Sequence, residues 1–101
     1  MTKQQLLAEV EDLLRSMPSR EAFQQHRDAE TLPWLGRAAA AIEKWDVIKS
    51  ARCALAVTEL QHTGMVQHAM GYTAIKTLLY QARADLRMDV GQLRACQKIT
   101  E

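Results

Sequence analysis

The chain has 101 residues and a mass of 11.4 kDa, which is enough for one domain, 1–101, with a single modest core. It carries 13 Lys and Arg residues against 12 Asp and Glu residues, so the net charge of +1 does not indicate general binding of polyanions. Two cysteines are too few for a disulfide framework, no run of residues is long and apolar enough for a membrane span, and the amino terminus lacks the apolar stretch of a signal peptide. These features predict a cytoplasmic protein that does not enter a membrane.

The first predicted elements are two amphipathic segments near the amino terminus. Apolar residues recur at helical spacing from Leu6 to Met17, which predicts a helix. Thr2, followed by Gln5, has the pattern of a capping box at the start of that helix. Ser19 is suited to cap a short second helix that reaches about Arg27.

A long central helix is predicted from Leu32 towards Thr63. Thr31 is the candidate amino-terminal cap, and Pro33 fits the first turn, where a missing amide proton costs little. The apolar stripe shifts around the helix in its second half, so a bend or short break is expected near residues 46–50. Gly64 is expected to close the helix as a carboxy-terminal cap.

The last predicted helix runs from about Met65 to Met88, with apolar residues at alternating steps of three and four. Gly91 is expected to end it, which leaves residues 92–101 as a short docked helix or a flexible tail. No segment alternates with period two over a useful length. The sequence therefore predicts an all-α fold, an antiparallel helical bundle of three to four main helices.

Two Glu-x-x-Asp pairs are the candidate catalytic carboxylates. They are Glu9 with Asp12 and Glu43 with Asp46, and all-α nucleotide pyrophosphohydrolases use such pairs to hold magnesium. Helical projection places these carboxylates away from the apolar faces, which favours solvated surface positions. No histidine or cysteine spacing predicts a metal site. Neither a catalytic residue nor a cofactor is therefore expected. The alternative function is that of a metal-dependent nucleoside triphosphate pyrophosphohydrolase.

Arginines near the end of the chain are the candidate contacts for nucleic acid. They are Arg83, Arg87 and Arg94, but Asp85 and Asp89 lie among them. Salt bridges and the helix dipole therefore explain them better than a nucleic-acid surface does. Nucleic acid is not expected as a partner, and a weak nucleic-acid-binding accessory protein is a second alternative.

Apolar residues beyond one helix face are the candidate interface. Trp34 and Trp45 lie three turns apart on one face, and two tryptophans in a small bundle are explained by core packing or by an interface. A second apolar strip further along includes Val57 and Leu60. Because a three-residue apolar stripe after Gly91 cannot hold a helix in isolation, its members are expected to dock across a two-fold homodimer. The three members of this stripe are Leu93, Cys96 and Ile99.

Two stretches also carry a resemblance to known domains. The stretches are TLPWLGRAAAAIEKWD, residues 31–46, and TLLYQARADLRMDVG, residues 77–91. They resemble segments of small uncharacterised helical domains of bacteria, some carried on mobile elements or attached to effectors of conflict systems. The resemblance implies a bacterial accessory module and carries no catalytic motif. The leading hypothesis is a non-enzymatic protein-interaction or self-association module, because the sequence has no convergent polar cluster and has more apolar helix surface than three helices readily bury.

Overall fold

The computed structural model describes residues 2–25, 28–61 and 64–100, and the side chains of residues 28 and 93–100 lie outside that description. Within these ranges the chain forms five α-helices and no strand. The helices are α1 (Lys3–Arg15), α2 (Arg20–Gln24), α3 (Asp28–Trp45), α4 (Val47–Leu60) and α5 (Met65–Thr100). The predicted all-α bundle is confirmed, and α2 is the one short helix.

The predicted caps of the first two helices are present. The Thr2 hydroxyl accepts a hydrogen bond from the Gln5 amide at 3.1 Å, and the Gln5 side chain accepts one from the Thr2 amide at 2.9 Å. This reciprocal pair is the capping box expected from the sequence. Ser19 caps α2 by accepting from the Ala22 amide at 3.2 Å. α2 ends at Gln24, earlier than predicted, and Arg27 lies outside the described residues.

The central helix begins one turn earlier than the sequence predicts. α3 starts at Asp28, so Thr31 is buried inside the helix instead of capping it, and Pro33 lies within it. The proline is tolerated because it is close to the helix start, where it deprives a single carbonyl group, that of Ala29, of its amide partner. The predicted break is confirmed, since Asp46 separates α3 from α4 and accepts a hydrogen bond from the Ile48 amide at 2.9 Å.

Two glycines do not act as the sequence predicts. α4 ends at Leu60, and Gly64 instead precedes α5, where its carbonyl accepts the His68 amide at 3.0 Å. Gly91 does not end α5, which continues through Thr100. A glycine inside a helix costs about 1 kcal/mol relative to alanine, which is not enough to stop a helix flanked by residues of good helix propensity.

α5 is the longest element and the one against which the others pack. Its 36 residues have a length of about 54 Å, close to the 56 Å length of the molecule. α1 lies antiparallel to it, because Lys3 pairs with Asp89 at 3.1 Å while Pro18 accepts a hydrogen bond from the Tyr72 hydroxyl at 3.4 Å. α4 and α5 form an antiparallel hairpin.

One hydrophobic core joins α1, α3, α4 and α5. Its largest fully buried side chains come from all four of these helices. They are Val10, Leu13, Ile42, Cys53, Ile75, Leu79 and Leu86. None of the helices in the described ranges combines the length and the apolarity that crossing a bilayer requires.

Candidate protein-interaction surface

An open groove of about 1010 Å³ lies between α4 and α5 on the outside of the bundle. Four of its apolar side chains are more than half exposed: Ile48 at 81%, Met65 at 74%, Val66 at 73% and Met70 at 53%. Contiguous apolar surface of this kind is typical of sites that bind another molecule. We call this feature the α4–α5 groove, and its apolar lining consists mainly of Ile48, Met65, Val66, Ala69, Met70 and Leu78.

The groove exists because α5 is apolar on two sides. One side carries Ile75, Leu79 and Leu86, which are buried in the core. The groove side carries Val66 and Met70, one helical turn apart, and is followed along the helix by small residues. A single amphipathic stripe would satisfy the core, so Val66 and Met70, which are both more than half exposed, are not needed for packing within the bundle.

The α4 edge of the groove is cationic. Lys49 Nζ donates to Gln81 Oε1 at 3.1 Å and lies 4.9 Å from the centroid of the Trp45 ring. Arg52 Nη1 lies 3.3 Å from Glu59 Oε1. Both cations line the groove, and these contacts hold their side chains in position.

Two of the predicted interface residues belong to the core instead. Trp34 is 5% exposed, its indole N–H donates to the Leu13 carbonyl at 3.0 Å, and its ring packs edge to face on Phe23. Leu60 is 4% exposed. Neither side chain offers surface to a partner, because each lies on the inner side of its helix.

The other predicted interface residues are partly buried or not described. Val57 and Trp45 pack against the core as half-buried side chains, and the Trp45 indole N–H donates to Asp85 Oδ2 at 3.1 Å. The side chains of Leu93 and Ile99 lie outside the described residues, so their docking stays a prediction.

Sequence reasoning missed the groove because it assigned its residues to core stripes. Ile48 continues the apolar stripe of Trp34 and Trp45 at helical spacing, and Met65 begins that of the last helix, which would place both inward, yet both are exposed. Val66 and Met70, apolar residues just outside the predicted stripe of the last helix, were the available signal of a second apolar face.

The candidate carboxylates do not form a metal centre. Arg37 bridges Glu9 and Asp12, with N–O distances of 2.9 and 2.8 Å. Glu43 is exposed, while Asp46 caps α4. Among the residues that the structure describes, no group of three or more His, Cys, Asp and Glu side chains is placed to hold a metal ion.

The Arg37 pair has a measurable electrostatic signature. A hydrogen bond from Arg37 lowers the pKa of Asp12 below its ordinary value. A carboxyl group whose pKa is lower in the folded state stabilises the fold at any pH above its unfolded pKa, which is about 4 for aspartate. That stabilisation is lost as the pH falls below this value and through the folded-state pKa. We expect carboxyl-carbon NMR to show Asp12 titrating below an ordinary aspartate, and Arg37→Gln to raise its midpoint. An unchanged midpoint in the variant would contradict the ion pair.

Cys53 and His68 are the remaining titratable candidates within the described residues, and both are buried. Burial raises the pKa of the Cys53 thiol, which suits a small core residue rather than a nucleophile. His68 is buried in α5, while His26 and His62 lie outside the described residues.

The arginines proposed for nucleic acid contact neighbouring side chains of the bundle. Arg83 lies over the Tyr80 ring at 4.8 Å, and Arg87 lies 3.5 Å from Glu11. The Arg87 contact is a salt bridge and the Arg83 contact is a cation–π pair, while Asp85 and Asp89 bind Trp45 and Lys3 instead of these arginines. The side chain of Arg94 lies outside the described residues.

Comparison of the chain with protein-family models, with curated proteins and with solved structures finds no match.

Proposed function

We propose that the protein is a non-enzymatic interaction module that binds a helical segment of another protein in the α4–α5 groove. The observation that supports this most directly is the exposure of Ile48, Val66 and Met70 in one groove although the core is complete without them. A bacterial accessory role, which the resemblance implies, and a cytoplasmic location, which the cysteine count and the amino-terminal sequence predict, are part of the same proposal.

The shape of the groove suits a helix. Its α5 wall extends from Met65 to Gln81, about 24 Å at the rise of an α-helix. Amphipathic helices bind such grooves by inserting apolar side chains from positions i, i+3, i+4 and i+7. The two walls would then form a three-helix packing arrangement with the bound segment.

Self-association is the second form of this proposal. A two-fold dimer was expected from the sequence, but Trp34 and Leu60 are buried, so other residues would have to form its interface, and the groove offers exposed apolar surface for one. Sedimentation equilibrium of the full chain measures whether copies associate. Dissociation by a groove substitution would identify a second copy as the occupant.

The experiment that tests the proposal is selection from a displayed library of amphipathic helical peptides of about 16 residues. We expect the full chain to enrich binders and Met70→Glu to weaken them by at least about tenfold, because a carboxylate would be buried in the apolar groove. Met88→Glu is the matched control, since Met88 is also exposed on α5 but lies outside the groove.

Thermal denaturation of both variants should match that of the original chain, because both methionines are exposed. A library that yields no binders, or binders insensitive to Met70→Glu, would overturn the proposed function.

A further inference from the structure

We infer, on the basis of the proposed function, that the groove selects an amphipathic helix whose apolar face is flanked by acidic residues. The occupant would bury its apolar side chains against Val66 and Met70 and place carboxylates beside Lys49 and Arg52. The inference thus concerns the charge of the partner as well as its shape.

The first support is the charge around the groove. Residues 60–84 include no Asp or Glu, so the whole α5 wall lacks a carboxylate. That segment does include the exposed Lys76. Arg52 is paired with Glu59, and Asp85 accepts a hydrogen bond from Trp45, whose ring lies under Lys49. None of the described residues that line the groove is acidic, so a basic partner would face Lys49 and Arg52 with no carboxylate of the lining to compensate.

The spacing of the two groove cations sets a preferred pattern in the partner. Lys49 and Arg52 lie three residues apart on α4, about 4.5 Å along its axis. Carboxylates three or four residues apart on a helix have a similar spacing. An acidic pair one turn apart on the bound helix would therefore contact both cations.

The same charges disfavour a second copy as the occupant. Whichever way two grooves faced each other, the Lys49 and Arg52 side chains of each copy would meet no carboxylate of the other groove, because none of the described lining residues is acidic. The carboxylates of α1 and α5 with described partners are already engaged within one chain. They are Glu9 and Asp12 with Arg37, Glu11 with Arg87, Asp85 with Trp45 and Asp89 with Lys3.

The number of cations favours a peptide over a membrane as the occupant. Lys49 and Arg52 are the cations among the described residues that line the groove, whereas helices that bind bilayers are rich in Lys and Arg along their polar face.

The test uses the full chain and peptides with a constant apolar face and flanking positions drawn from Glu, Gln and Lys. We expect selection to enrich Glu at the flanking positions. Fluorescence anisotropy should then give a Kd roughly tenfold lower for the Glu peptide than for its Lys counterpart at low salt. The difference should shrink at about 0.5 M salt, where exposed charges are screened.

Paired variants connect this preference to the groove. Lys49→Gln with Arg52→Gln should reduce the Glu-over-Lys preference to within about twofold while the apolar contribution persists. Arg20→Gln with Lys44→Gln is the control, because it removes the same charge from exposed positions outside the groove. Equal thermal midpoints would show that both double variants are folded.

Several outcomes would overturn the inference and leave the proposed function intact. They are enrichment of Lys or Gln at the flanking positions, a preference that survives Lys49→Gln with Arg52→Gln, and a dimer that Met70→Glu dissociates. Enrichment of no peptide would overturn both, and binding to vesicles containing anionic lipid in that case would identify a membrane as the ligand.

Discussion

Trp34→Ala is expected to lower the free energy of unfolding by about 3–5 kcal/mol, because truncation of a buried tryptophan removes apolar contacts and leaves a cavity. The ring of Trp34 is 5% exposed and packs against Phe23, and its indole N–H satisfies the buried Leu13 carbonyl. Small domains are stable by about 5–15 kcal/mol, so this loss is a large fraction of the total. Urea denaturation followed by circular dichroism measures it.

Two further substitutions separate the causes of that loss. Trp34→Phe retains an aromatic ring but removes the donor to Leu13, and we expect a cost of about 1–3 kcal/mol for the unsatisfied carbonyl. Trp45→Ala should cost less than Trp34→Ala, because Trp45 is half-buried. Unchanged stability of Trp34→Ala, or a larger loss for Trp45→Ala, would contradict the assignment of Trp34 to the core.

The two tryptophans show that helical periodicity predicts which residues share a helix face, but not which of them are buried. Their spacing correctly places both on one stripe of α3. Which part of that stripe is covered depends on α1 and α2, and α2 contributes Phe23 against Trp34. Trp45 lies at the opposite end of α3, where its N–H reaches Asp85 of α5. Pairings between distant segments have no signature in one helix's own sequence.

Local signals predicted the helix starts better than the helix ends. The caps by Thr2 and Ser19 depend on hydrogen bonds within three residues, which are visible in sequence. Gly91 was predicted to end a helix on composition alone, but helix continuation depends on the following residues as well as on the glycine. Val66 and Met70 signal a second apolar face of α5 in the sequence, but which of the two apolar faces is covered was not predictable, because it depends on where α4 crosses α5.

That crossing is close at Gly71, and we expect Gly71→Ala to lower the free energy of unfolding by about 2–3 kcal/mol. A Cβ atom at this position would lie 2.6 Å from the Ala56 carbonyl oxygen and 2.8 Å from the Leu60 amide nitrogen. Both are backbone atoms of α4, so the clash can be relieved only if the two helices move apart. The gain in helix propensity from glycine to alanine, about 1 kcal/mol, is smaller than the overpacking it would have to offset.

Gly36→Ala is the matched control, because it makes the same change inside α3, where a Cβ atom would meet no atom within 4 Å. We expect this variant to be more stable than the original chain by up to about 1 kcal/mol, since it gains helix propensity without a clash. The two variants should therefore shift the urea midpoint in opposite directions, and shifts of the same sign would contradict the close crossing. Because the α4–α5 crossing also sets the width of the groove, Gly71→Ala should weaken peptide binding even where the variant is fully folded, whereas Gly36→Ala should leave it unchanged.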